Sequence, residues 1–368
     1  MITAYITSVA PFSGKSLVGL VVGLRLRDRG LRVGYFKPVG NLPMEVHGVT
    51  TDEDALFIAQ TLGAADEIPC LCPYLVTPEF AERVFKGQER VDLGRVREGF
   101  DCMARGRDVM IVGGLGGMAR GGLIGLSAPA VAELLDARVL LVARYESEVT
   151  AEEILLAQSL LGKRLAGVIF NFVREADQPA LAGEVAAYLE ARGIPVLGSV
   201  PKDPLLGGVT VRELADRLGA KVLCCENRMD ELIEHFIIGA MNVASAIKYF
   251  REVGDKAVIT GGDRADIQLA ALQTPTRAII LSGNLYPQQA IVKRAQQVGV
   301  PLLVAAADTL TLVEEIERIT RGLRIRERAK IDRARSVFDR HVNFDRLVQS
   351  LGAEALAGPK EGSKRHAV

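Results

Sequence analysis

The residues Ser13-Gly14-Lys15-Ser16 carry the first recognisable chemistry of this chain. They follow an apolar run from Ile2 to Ile6 and precede a second from Leu17 to Leu26. A strand, a tight loop ending in Gly-Lys-Ser and a helix form an arrangement that surrounds the phosphates of a nucleotide. Backbone N–H groups at Ser13, Gly14 and Leu17 face the anion, the Lys15 ammonium reaches the outer phosphates, and the Ser16 hydroxyl helps to hold Mg²⁺. The implied ligands are therefore ATP and Mg²⁺. The first glycine of the full G-x-x-x-x-G-K-[ST] spacing is absent: Val9 stands there, or Ser8 if the loop is one residue longer. Without a nucleotide, the same residues would make a polar helix start.

The elements that must position this loop show in the hydrophobic pattern. Strand-length apolar runs at Ile2 to Thr7, Arg32 to Phe36, Asp108 to Val112, Arg138 to Ala143, Leu165 to Phe170 and Pro195 to Val200 alternate with amphipathic stretches. The helices expected between them are Leu17 to Arg29, Glu53 to Leu62, Leu93 to Arg105, Thr150 to Leu161 and Pro179 to Arg192. This is the rhythm of an α/β fold with a parallel sheet covered by helices, whose ligands bind at the carboxyl ends of the strands. Those ends carry Ser13 to Ser16, Lys37-Pro38 and the glycine-rich run Gly113 to Gly125, which reads as a lid. Turn formers cluster at 201–208 and predict a boundary, giving a first domain over 1–205. A smaller α/β domain over 206–323 follows, with strands at Ala257 to Thr260, Arg277 to Ser282 and Pro301 to Ala305. Residues 324–352 read as a closing helical segment and 353–368 as a polar, flexible tail.

Composition narrows the class. The chain has 368 residues, 49% hydrophobic and 24% charged, with zero formal charge, which excludes a disordered chain and gives no sign of a polyanion-binding one. The N-terminus lacks a basic segment followed by a long apolar stretch, and no run reaches the ~18–20 apolar residues of a membrane span. A cytoplasmic location is expected. Five cysteines, Cys70, Cys72, Cys102, Cys224 and Cys225, are odd in number and lack paired C-x-x-C knuckles, so reduced thiols are expected. Nine Lys or Arg lie between Arg318 and Arg340. Neutral overall charge and few interleaved aromatics favour a solvated helix face or a subunit contact over nucleic acid.

Several ordered motifs resemble dethiobiotin synthetase and its relatives among the phosphate-loop enzymes, including the cobyrinic acid amidases. They are Tyr5 to Ser16, Tyr35-Phe36-Lys37-Pro38-Val39, Asp54-Ala55-Leu56, Pro73-Tyr74, Asp108 to Gly117, Phe170-Asn171-Phe172-Val173 and Pro195 to Pro201. The second half resembles the DRTGG domain, through Thr260-Gly261-Gly262-Asp263-Arg264 and the strand end Ser282-Gly283-Asn284. The pairing is that of the N-terminal regulatory half of long bacterial phosphate acetyltransferases, and it implies a stand-alone version of that half with no acetyl transfer. The resemblance further implies that Lys37 positions substrate and phosphates, that Asp54 is a metal-side ligand, and that Asn171 reads the purine. Pro201, which ends the last motif, counts with the nucleotide-binding residues. Asn171 also reads as an ordinary turn residue, and Asp52, Glu53 and Asp54 equally suit a helix start.

The departures from the family bear on function. Gly113 stands where the synthetase's Val-Glu-Gly strand end offers a metal-side carboxylate, and Ala10 where its phosphate loop has an acid. Fewer carboxylates imply weaker stabilisation of charge in phosphoryl transfer. The expectation is an ATP-binding regulatory or sensor protein with little or slow hydrolysis. The alternatives are an ATP-dependent ligase acting on a carboxylate or carbamate, with Lys15 and Lys37 as catalytic residues and Asp52 or Asp54 supplying the carboxylate, and a subunit of a phosphate acetyltransferase system. A homodimer is expected, and a protein partner of acetyl-phosphate metabolism. In the second domain, Asp263 is expected to cap a helix and Arg264 to pair with it or face an anion, with Gly261 and Gly262 as the floor of such a site.

Overall fold

The computed structural model describes residues 1–11, 13–321 and 328–352, and divides the chain into two compact units. One comprises residues 1–202 together with 325–368, the other residues 203–324. The tail expected over 353–368 and the 322–327 portion of the basic run lie outside the described residues.

The first unit is built on a six-stranded sheet of β1 (Ile2–Ser8), β2 (Val33–Phe36), β3 (Val109–Gly113), β4 (Arg138–Arg144), β5 (Leu165–Val173) and β6 (Val196–Pro201). All are parallel, in the order β6-β5-β4-β1-β3-β2. Each central strand is buried nearly throughout, which explains why these segments read as continuous apolar runs without alternation. Strand β1 lies between β3 and β4, so the loop that follows it opens at the middle of the carboxyl edge. Helix α1 (Lys15–Asp28) is buried at every position from Leu17 to Leu24. A helix that is apolar all round must be covered on both sides. The sheet covers one side, and the late helix Arg328–His341 folds back toward the other, where Asp339 pairs with Arg25 at 2.8 Å and Arg335 with Asp28. The helix Phe344–Ser350 follows, its Phe344 ring 5.0 Å below the Arg29 guanidinium and Arg346 bonded twice to Glu190. The closing helices thus belong to the first unit, and within the basic run Arg335 is paired there with Asp28.

The second unit carries a five-stranded sheet of β7 (Lys221–Cys224), β8 (His235–Ile238), β9 (Lys256–Gly261), β10 (Thr276–Ser282) and β11 (Leu302–Val304), in the order β7-β11-β10-β9-β8. Only β7 runs antiparallel to its neighbour. Side chains alternate between two cores: Val258 and Ile279 pack with Phe250 and Ile267 on one face, Ile259 and Ile280 with Val211 and Leu312 on the other. The edge strands β7 and β8 had no expectation from the sequence. Both are half solvated and four residues long, with apolar runs of only three or four residues, Val222 to Cys225 and Phe236 to Ile238.

Two further expectations are corrected. The stretch Pro179 to Arg192 is not one α-helix: a π-turn at Leu181–Val185 precedes the α-helix Ala186–Glu190. The cysteines are not all reduced either. Cys70 and Cys102 form a disulfide with Cα atoms 6.3 Å apart, while Cys72, Cys224 and Cys225 are free. The partners lie 32 residues apart, on the helices Ile68–Leu71 and Leu93–Ala104, so only tertiary packing brings them together. Alkylation of the denatured chain before reduction is expected to label the three thiols that are free in this fold, and after reduction all five. Complete labelling before reduction would dismiss the pairing.

Candidate functional site

The loop after β1 is fixed from within. Ser8 Oγ donates to the carbonyls of Ala10 at 2.7 Å and Gly116 at 2.9 Å, and Ser13 Oγ donates to Ala10 at 2.9 Å. The loop is thereby joined to the glycine-rich segment following β3. Gly14 sits at the N-cap of α1 in the left-handed region, φ 85°, with the Asn171 amide against the face where a side chain would project. A residue with a Cβ would be strained by its backbone and would collide with Asn171. No side chain caps α1, so its first N–H groups and the positive end of its dipole face outward beside Lys15 and Ser16. Leu17 turns its side chain into the core, 4% exposed, and has only its backbone N–H to offer an anion.

Lys37 and Asp52 define the neighbouring wall. Both are buried, and Lys37 Nζ lies 2.7 Å from Asp52 Oδ1. The same carboxylate accepts from the backbone N–H of Ala55 at 3.0 Å, capping helix α2 (Glu53–Leu62), and from those of Asn41 at 3.0 Å and Leu42 at 3.1 Å. Four donors use the acceptor positions of one carboxylate. Asp52 is therefore a structural anchor. Burial opposes charge on both groups, but the Asp52 and Asp54 carboxylates outweigh it and raise the Lys37 pKa. The Lys37 charge and the hydrogen bonds likewise outweigh burial at Asp52 and lower its pKa. Asp54, also buried, exerts its charge on both Lys15 and Lys37.

Lys15 is half-buried, and its pKa falls to about 8, chiefly through burial and then through repulsion from Lys37. Arg120, in the glycine-rich segment, adds to that repulsion. Three cations against two carboxylates leave the site electropositive. The sequence reading had not singled out Arg120; a lone cation among glycines after a strand end was the available signal. Asn171 is buried and donates Nδ2–H to the Ser13 carbonyl at 3.0 Å, so it braces the phosphate loop. Pro201 ends β6, and Lys202 N–H bonds to Val173 there. Where the metal-side carboxylate of the resembled family would project, Gly113 has the Tyr35 hydroxyl against it.

In the second unit, Gly261 ends β9 and leads into the helix Ala265–Leu272. Asp263 does not cap that helix: Arg264 holds the N-cap position, without a side-chain cap. Arg264 pairs with Asp266, Nε to Oδ1 at 3.0 Å, and reaches the Met241 carbonyl at 3.3 Å. Gly262 is pressed against the Leu285 carbonyl. Gln268, fully buried and unremarked in the sequence, donates to the Gly261 carbonyl at 2.8 Å. These contacts fold the turn tightly at the carboxyl edge of the sheet.

With this geometry in place, the comparisons give its class. The AAA domain family matches residues 3–210, more than half of the chain, and the DRTGG domain matches residues 213–319. The chain belongs to the AAA-domain family, as a dethiobiotin-synthetase-like P-loop domain followed by a DRTGG domain. It is 26% identical over 364 residues to the phosphate acetyltransferase of Pseudomonas putida, covering 92% of this chain and 50% of that protein. It is 23% identical over 203 residues to the ATP-dependent dethiobiotin synthetase of Methanococcus vannielii, covering 53% of this chain and 92% of that protein. Among solved structures, the MinC:MinD cell division protein complex of Aquifex aeolicus matches with a TM-score of 0.36 at 14% identity, over 56% of this chain and 84% of that one. The chain spans about half the length, or less, of the phosphate acetyltransferases it matches. No helix among the described residues is long and apolar enough to cross a membrane.

The Lys37–Asp52 pair yields a direct test. Asp52→Asn leaves Lys37 buried without its countercharge and is expected to cost about 3–5 kcal/mol of stability. Denaturant unfolding reads this, and an unchanged midpoint would show the pair to be dispensable.

Proposed function

We propose that the first unit binds ATP with Mg²⁺ as a regulatory or sensor device, hydrolysing it slowly if at all. The observation that carries this reading is the pairing of an uncapped α1 N-terminus, flanked by Lys15 and Ser16, with a depleted set of carboxylates. Asp52 is committed to Lys37 and three backbone donors, residue 113 has no side chain, and residue 10 is alanine. Ser16 and Asp54 are the oxygen donors that would hold Mg²⁺. The ion would screen the phosphates there and lend Lewis acidity to the outer phosphoryl group. Lys15 would meet the outer phosphates, the α1 N–H groups the inner ones, and Asn171 would keep the loop in its binding shape. Transition-state charge would find few groups placed for it, and slow turnover follows.

The wider reading is that nucleotide occupancy alters the second unit, its association with a second copy, or its association with a protein of acetyl-phosphate metabolism. The match of phosphate acetyltransferases to nearly the whole chain supports that partner class. The ligase alternative loses support from Asp52, which has no acceptor position to spare for a metal. Calorimetry with Mg·ATP on the wild type and Lys15→Ala, with released phosphate assayed on the same samples, tests the reading. Binding lost in the variant, with negligible phosphate release, is the expected result. Lys15-dependent turnover would replace the sensor by an enzyme, and no binding at all would remove the nucleotide.

The lowered Lys15 pKa sets a pH dependence. A bound phosphate favours the charged ammonium, so above pH 8 binding must take up a proton. Affinity is expected to be level below about pH 7 and to fall by at most about tenfold per unit above pH 8. Calorimetry at alkaline pH in two buffers of different ionisation heat measures the uptake. Identical heats in both would show that Lys15 does not titrate with the ligand.

A further inference from the structure

A cleft of about 640 Å³ lies beside β6, between the helical stretch that contains the Leu181–Val185 π-turn and the junction of the two closing helices. All of its lining belongs to the first unit. In the sheet order β6 stands three places from β1, so the cleft is a second location, separate from the phosphate loop. Its volume falls within the range of small-molecule sites, about 300–1,000 Å³. Leu181, Ala182, Ala186, Leu197 and Val342 make part of the lining apolar. The π-turn supplies the first two, and such turns are frequent where a helix borders a site.

The polar part of the lining has its side-chain acceptors engaged and donors left over. Glu190 takes two bonds from Arg346, both at 2.6 Å, and the Val196 N–H at 3.1 Å. Asn343 Oδ1 accepts from the Arg346 N–H at 3.0 Å, and Gln178 Oε1 from the Ser199 hydroxyl at 2.8 Å. Gln178 Nε2, by contrast, is buried, and no group among the described residues accepts from it. An amide donor in that state is costly unless an acceptor reaches it. Arg340 is exposed and donates, among the described residues, to Ser336 Oγ at 2.8 Å. A guanidinium carries several N–H donors, so most of those of Arg340 remain for a ligand. With Glu190 and Arg346 neutralising each other, Arg340 makes the lining positive.

We propose that this cleft binds a small organic carboxylate with an apolar body. The carboxylate accepts from Arg340 and from Gln178 Nε2, and the carbon chain lies against Leu181, Ala186 and Val342. Leftover donors and a positive charge select an anion. A carboxylate brings one negative charge, which Arg340 matches, and its planar oxygens suit the guanidinium fork. A phosphate monoester brings more than one charge, and the remaining wall is apolar. The site stands apart from the nucleotide reading of the phosphate loop and does not require it.

Calorimetry on the full chain with octanoate, hexanoate and hexanol tests the assignment. Octanoate is expected to saturate one site and to bind more tightly than hexanoate, by about threefold for each added methylene. Hexanol, which lacks the charge, is expected to bind at least about tenfold more weakly than hexanoate. Gln178→Met keeps the length of the side chain without the donor, and Arg340→Ala removes the guanidinium; each is expected to weaken octanoate about tenfold. Arg340 is exposed, so its variant gives a reading even where Gln178→Met does not fold. Lys15→Ala should leave octanoate binding unchanged. The proposal is overturned by the absence of saturable binding of either carboxylate, by equal affinity for hexanol and hexanoate, or by full affinity in the Arg340→Ala chain. Binding lost in Lys15→Ala also overturns it, because the carboxylate would then sit at the phosphate loop.

Discussion

The carboxylate of Asp52 is the constraint on which the nucleotide-facing edge of the first unit depends. One side chain ends the turn at Asn41 and Leu42, starts α2 through Ala55, and neutralises Lys37. Each of these contacts alone is modest, but together they join strand β2 to the helix that follows and fix where Lys37 emerges. A buried lysine is tolerable only with a charge beside it, and a buried carboxylate only with its lone pairs filled. The two demands meet in one pair. Gly40 passes close to the same carboxylate, where a Cβ would stand 2.5 Å from Asp52 Oδ2 and 2.8 Å from Cys72 Sγ, so the packing around the pair leaves no slack.

Charge is distributed accordingly. Asp52 settles the Lys37 charge, while Lys15 stands half-buried with a pKa drawn down to about 8, near two other cations. A lysine held this way gains most when an anion arrives, because the ligand relieves the burial and the repulsion at once. The uncapped start of α1 behaves in the same sense, since its N–H groups have no side chain to satisfy them. Both features favour an anion at this edge.

The fold was legible in the sequence wherever burial was continuous. Strands β1 to β6 and helix α1 are apolar because they are covered, and the six runs and four of the five helices expected between them were readable as such. The Gly-Lys-Ser loop was readable from chemistry and position. Elements whose identity depends on a partner were not: β7 and β8 are short edges, the Cys70–Cys102 pair spans 32 residues, and the return of Arg328–His341 onto α1 depends on ion pairs formed across the chain. The apolar circumference of α1 was the hint for that last contact. A helix with no polar face needs further cover, and α2, whose Leu62 lies against Gly23, supplies it together with the C-terminal helix.

The candidate site divides along the same line. Residue types at a strand end or loop named Lys15, Ser16, Lys37 and Asp54, but what each carboxylate is free to do was set by geometry. Asp52 and Asp54 both offer oxygen donors two residues apart at one helix start, and the resemblance singles out Asp54. The helix separates them: the N-cap position turns Asp52 back onto backbone N–H groups, while Asp54 lies within the first turn and acts on Lys15 and Lys37 through space. Likewise Gly113 read as a lost carboxylate, a simple deletion. Its backbone faces the Tyr35 hydroxyl, so a side chain from the neighbouring strand occupies that volume. Two residues in adjacent strands, a small one and a large one, share one volume. Sequence displays them as unrelated, because the register that places Tyr35 beside Ile111 and Phe36 beside Val112, one residue short of Gly113, exists only in the sheet.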